Sequence, residues 1–203
     1  MECRDTYKSI LEPSQGLYKE LGSRFIALAC PVESEDEVRA LLDTARRQYH
    51  DARHHCYAFR LGLDGRQWRA GDDGEPSGSA GRQILGQIDS AGLSDVLVIV
   101  VRYFGGIKLG IPGLIRAYKT STADALSNAS VIEKTAGVRY SVPFAYESLP
   151  QVMKILKDMD IPVLERDFGL DCSVKVRVRL SLVQDFLDKM EKIGIFKDKI
   201  KTI

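Results

Sequence analysis

The run Val96, Leu97, Val98, Ile99, Val100, Val101 has no polar face, a pattern that predicts a β-strand covered on both sides. Elsewhere the apolar positions keep one of two periods. Period two over residues 23–30 sets Phe25, Ala27 and Ala29 against Ile26 and Leu28, and over 54–60 it sets His54, Cys56 and Ala58 against His55, Tyr57 and Phe59. Shorter strands are expected at 7–11 and 17–21, around a turn with Pro13, Ser14 and Gly16, and at 67–70 after a turn at 62–65. Helical period shows in Val38, Leu41, Leu42 and Ala45, opened by the capping box Ser34/Glu37. It returns in Ile84, Leu85 and Ile88, with Ser77 or Ser79 as the cap. A third helix is expected from residue 113 to about 129. It turns Leu114, Ile115, Tyr118, Thr122, Ala125 and Leu126 inward and leaves Arg116 and Lys119 on an outer face.

After residues 128–136 the pattern restarts. Val138, Tyr140, Val142, Phe144 and Tyr146 alternate as in a half-buried strand. Ser148 and Gln151, with Pro150, open a helix through Val152, Ile155, Leu156 and Met159. Strands follow at 161–168 and 172–180 around Gly169. Ser181 and Gln184 open a helix stopped by Gly194, and 195–203 reads as a last strand. The order βαββαβ is that of a ferredoxin-like domain. Two domains, 1–134 and 135–203, are therefore expected, and the first is α+β because it lacks the regular βα repeat of a doubly wound sheet.

Composition narrows the classes. Hydrophobic residues at 44% and charged residues at 28% belong to a globular chain rather than a disordered one. No run approaches the roughly 18 apolar residues of a membrane span, so no membrane partner is expected. Met1 to Asp5 carry no signal-type region, which points to the cytoplasm. Cys3, Cys30, Cys56 and Cys172 have no paired spacing and read as free thiols. A net charge of +1 lacks the bulk basicity of many phosphate contacts, so any nucleic-acid site must be a local patch.

Two unusual loops flank the buried strand. The first, residues 71–81, holds Asp72, Asp73 and Glu75, hard oxygen ligands of the kind Mg²⁺ accepts, although such acids also cap turns and helix starts. The second, Gly105 to Gly113, carries glycines and Lys108 into a helix N-terminus, where backbone N–H groups and the dipole favour an anion. Arg102, Lys108, Arg116 and Lys119 add positive charge. Neither Walker spacing nor Gly-x-Gly-x-x-Gly is present. His54 and Cys56 share a strand face, but no further ligand stands at zinc spacing, and His54 is expected to bond an acid of the first loop. Ser77 and Ser79 lack a nucleophile elbow. In the second domain Lys175, Arg177 and Arg179 alternate with valines and project from one sheet face, a weak nucleic-acid candidate without stacking aromatics.

His54, His55 and Cys56, the stretches 72–81 and 101–110, and Gly113, Leu114, Arg116, Ala117 and Tyr118 together resemble the YigZ/IMPACT family. The resemblance covers residues 17–130, and the remainder is similar to the small domain that follows in bacterial members. It departs at Ile111-Pro112, where Pro112 removes an N–H donor from the phosphate cradle. The resemblance implies a first domain with the fold of the second domain of ribosomal protein S-five and of the translocase's fourth domain. The second domain would then be similar to the translocase's fifth. It also implies a role near translation, since eukaryotic relatives regulate the kinase response to amino-acid starvation by binding an activator protein. The expected function is thus a non-enzymatic cytoplasmic protein that binds RNA, the ribosome or a translation factor. A Mg²⁺-dependent enzyme acting on a phosphorylated small molecule or nucleotide is the alternative. The candidate binding residues are His54, Asp72, Asp73, Glu75, Ser77, Arg102, Tyr103, Gly105, Gly106, Lys108, Arg116 and Lys119.

Overall fold

A computed structural model describes residues 5–169 and 172–203. Met1 to Arg4, including the Cys3 thiol, lie outside it. The protein is α+β and its described residues divide into two compact units, residues 7–134 and a second made of 135–203 with Asp5 and Thr6.

In the first unit the strands β1 (Thr6–Ile10), β2 (Ser14–Glu20), β3 (Ser23–Pro31), β4 (His54–Leu61), β5 (Gln67–Gly71), β6 (Val96–Tyr103) and β7 (Val131–Thr135) alternate with helices α1 (Glu35–Gln48), α2 (Gly81–Ser90) and α3 (Gly110–Ser127). A five-stranded antiparallel sheet runs in the order β2-β3-β6-β4-β5. Central β6 is the apolar run, and it is buried on both faces. Val98 lies between Ala29 and Ala58, and Val100 between Ala27 and Cys56. Those small neighbours leave room for α2 and α3, whose Ile84, Ile88, Leu114 and Tyr118 fill that layer. On the other face Leu97, Ile99 and Val101 meet Phe59 and the α1 residues Val38, Leu42 and Ala45.

The period-two and helical patterns gave these elements, but several partners differ from expectation. β1 and β2 do not form a hairpin. β1 pairs instead with β7, in the stretch 128–136 for which no strand is expected from sequence, and the bonds Leu11 N to Ser130 O and Ala136 N to Asp5 O show the two run antiparallel. Helix α3 starts at Gly110 rather than 113, with Pro112 in its first turn, where its missing N–H breaks no helical bond. Ala117 and Ser121 join its buried face, and Ile115 is only partly covered.

The second unit contains β8 (Gly137–Phe144), α4 (Leu149–Asp158), β9 (Val163–Phe168), β10 (Cys172–Arg179), α5 (Val183–Lys192) and β11 (Lys201–Thr202). The sheet order β11-β8-β10-β9, antiparallel throughout, is the ferredoxin-like arrangement. Its core is separate and gathers Tyr140, Val142, Val174, Val176, Val152, Leu156, Phe186 and Met190. The capping boxes at Ser148 and Ser181 do not form, because a 3₁₀ turn precedes each helix; Ser181 Oγ donates to Asp5 Oδ2 at 2.6 Å instead. That bond and the Arg179 ion pair hold Asp5 to the second unit, and Ser181 above all keeps its carboxyl below the usual range. The last strand shortens from 195–203 to Lys201–Thr202.

Candidate functional site

At the end of β6, one row of the sheet reads Phe25, Arg102, His54 across β3, β6 and β4. Alternation puts Arg102 on the face of α2 and α3, and Tyr103 on the opposite face, where its hydroxyl donates to Asp51 Oδ1 at 2.8 Å. Tyr103 therefore leaves the candidate site. Arg102 is 7% exposed, and its Nη1 donates to Glu75 Oε1 at 2.6 Å. The same oxygen accepts from the Tyr118 hydroxyl of α3 at 2.8 Å. The Cys56 thiol completes the network, 3.2 Å from that hydroxyl and 2.9 Å from the Asp72 carbonyl. Burial pushes the thiol up to about 12, which removes it as a nucleophile, and burial likewise raises the Tyr118 hydroxyl. One carboxylate oxygen ties the acidic loop to β6 and α3, and the Tyr118 hydroxyl extends the network to β4.

The acids of the first loop thus serve three separate ends. Asp72 Oδ1 accepts from Ala80 N (3.1 Å) and Gly81 N (2.8 Å), and Oδ2 from Gly78 N (2.8 Å). It caps α2 in place of a serine: Ser77 is exposed, and Ser79 Oγ turns back to Pro76 O at 2.6 Å. Asp73, at φ +43 in a turn completed by Gly74 at φ +87, accepts from His55 N at 2.7 Å. Its carbonyl accepts from His54 Nδ1 at 2.8 Å, so the expected acid partner of His54 is backbone. Burial keeps His55 below its ordinary value against the pull of Asp73. The three carboxylates point apart, and among the described residues no group of three or more His, Cys, Asp or Glu could hold a metal ion.

The glycine loop closes on the β2–β3 turn. A Cβ on Gly105 would collide with the Gly22 and Ser23 backbone, and Gly105 N donates to Ser23 Oγ at 3.1 Å. Gly106 adopts φ +91 with open space around it. Between this loop and the acidic loop lies a cleft of about 350 Å³. Glu75 and Pro76 line one side, Phe104, Lys108 and the start of α3 the other, with Arg102 beneath and Arg53 and His54 alongside. The Arg102 guanidinium sits 5.5 Å from the Phe25 ring in the core and 5.7 Å from Phe104, which is 52% exposed. Arg102 Nε is buried with no partner among the described residues.

A family model for the Impact N-terminal domain matches residues 21–126, which include every residue of this cleft. The chain belongs to the IMPACT family. The IMPACT family member YvyE of Bacillus subtilis is 41% identical over 179 residues, 88% of this chain and 82% of the relative. YigZ of Escherichia coli is 32% identical over 170 residues, 83% of each chain. A crystal structure described as that of a hypothetical protein matches with TM-score 0.74 at 27% identity, covering 99% of this chain and 98% of that one.

Within this IMPACT domain the positive charge differs from the sequence expectation. Arg102 is neutralised by Glu75, and Arg116 pairs with Glu20 on β2, which raises the guanidinium further. Neither Arg116 nor Lys119 lines the cleft. Among the described residues its cations without an ion-pair partner are Lys108 and Arg53, and Arg53, Phe104, Cys56 and Tyr118 all stood outside the candidate residues. Phe104 and Tyr118 stood within the family-like stretches, whereas Arg53 carries no local signal: only the placement of β4 beside β6 brings it to the cleft.

Proposed function

We propose that this IMPACT-family chain is a non-enzymatic, cytoplasmic RNA-binding protein acting in translation regulation, with its partner RNA presented by the ribosome. One observation carries the reading: an exposed aromatic, Phe104, stands in a cleft beside two cations, Arg53 and Lys108, that have no ion-pair partner among the described residues, at the N-terminal end of α3. A splayed base stacks on such a ring while its phosphate takes the cations and the first-turn N–H groups. The lining offers no hydroxyl or thiol for covalent chemistry, and Glu75 is engaged by Arg102 and Tyr118. The role near translation rests on the family resemblance.

Anisotropy with a short single-stranded RNA, together with ribosome cosedimentation, tests this. Phe104→Ala is expected to cost about 1–3 kcal/mol of binding. Arg53→Ala with Lys108→Ala lowers the salt slope by roughly 1.4. Unchanged binding and cosedimentation in the triple variant overturns the reading. A nucleotide that raises the melting temperature only with Mg²⁺ would favour the enzyme alternative instead.

A further inference from the structure

The outer face of the second unit's sheet carries an arrangement that folding alone does not explain. Tyr140, Val142, Val174, Val176 and Val178 point into the core, so Arg139 and Ser141 on β8 and Lys175 and Arg177 on β10 point out. The register places Arg139 directly opposite Arg177, and Lys201 of β11 and Lys175 both opposite Ser141. Neighbouring strands lie about 4.8 Å apart and alternate residues along a strand about 7 Å apart, so four cations share a patch of roughly 10 by 7 Å. Like charges directly opposite one another destabilise a sheet. Acids flank the patch on one side: on edge strand β9 Glu165 lies opposite Lys175 and takes it at 2.6 Å, and Asp167 lies opposite Ser173, while Asp5 takes Arg179. Arg177 is fixed by donating Nη2 to the Thr135 carbonyl at 3.1 Å. Arg139 and Lys201 are exposed and have no ion-pair partner among the described residues.

We propose that this face binds the phosphodiester backbone of a nucleic acid through Arg139, Arg177 and Lys201, with Lys175 released from Glu165 as the strand arrives. Among the described residues those between the cations are small, namely Gly137, Ser141 and Ser173, and the apolar side chains Pro143 and Ile203 stand at the rim, so the centre of the patch holds no apolar anchor of the sort that centres a protein interface. It has no aromatic to stack a base either, so contact is to phosphates and is blind to sequence. Arg179, named from sequence, is committed to Asp5; Arg139 and Lys201, on neighbouring strands, replace it. The site shares no residue with the cleft, so the two fail separately.

Anisotropy of the full chain, from about 50 to about 200 mM salt, with a single-stranded RNA, an RNA duplex of about 16 base pairs and a DNA duplex distinguishes the sources of backbone. Arg139→Ser with Lys201→Ser is expected to lower the salt slope by roughly 1.4 on a single strand and 1.8 on a duplex, whatever the sequence. Arg53→Ala with Lys108→Ala leaves that contribution in place. Arg139→Glu creates an opposite-charge pair with Arg177, so it should raise the melting temperature by about 1–5 °C while weakening binding. Three outcomes overturn the proposal: wild-type affinity and slope in the Arg139/Lys201 variant, no binding of any probe by the wild type, or displacement of RNA by polyglutamate at equal charge concentration.

Discussion

Glu75 is the residue on which the cleft depends, because a single buried oxygen accepts from both Arg102 and Tyr118. With side chains only 8% and 3% exposed, Arg102 and Glu75 have been desolvated, and a buried pair of this kind adds little net stability over apolar residues of the same shape. Removing one partner is another matter, since it strands the other charge. Glu75→Ala is expected to cost about 3–5 kcal/mol in denaturant titration, whereas Glu75→Ala with Arg102→Met should recover a large part of that loss. Equal destabilisation of the single and double variants would show that the two residues do not act as a pair. The network also explains why its members were hard to find from sequence. Glu75 read as one of three metal-type acids and Arg102 as one of four free cations, and only their meeting reveals that each cancels the other.

Elements were legible where the signal is local. The unbroken apolar run of β6, the alternation of β3, β4 and β10, and the Ser34 cap of α1, which accepts from Glu37 N at 3.3 Å, all depend on residues within a few positions of one another. Partnership is not local. The β1–β7 pairing joins segments more than a hundred residues apart, and Ser181 meets Asp5 rather than its own helix. Helix α2 shows the same limit, because its cap is an aspartate eight and nine residues upstream of the amides it serves. Asp72→Ala frees three loop amides at once and is expected to cost about 2 kcal/mol or more, with faster hydrogen exchange at Gly78, Ala80 and Gly81. Protection at those amides unchanged from wild type would show that the serines carry the cap after all.

For the whole molecule, the hydrophobic cores respect the division into units: the two clusters around β6 draw only on residues between Ile10 and Ala129, and the ferredoxin-like core only on residues from Val138 onward. A fragment of residues 7–134 should therefore unfold cooperatively by itself, with near-native circular dichroism; a broad, non-cooperative melt would contradict this. The same anatomy gives the polypeptide an unusual thread. Asp5 and Thr6 already belong to the unit that resumes at Thr135, and the chain enters and leaves the IMPACT domain through the neighbouring strands β1 and β7. Strands so paired lie about 4.8 Å apart, a gap that a tight two-residue loop can bridge. Excision between Thr6 and Thr135 therefore leaves two ends that can be rejoined without reordering the rest.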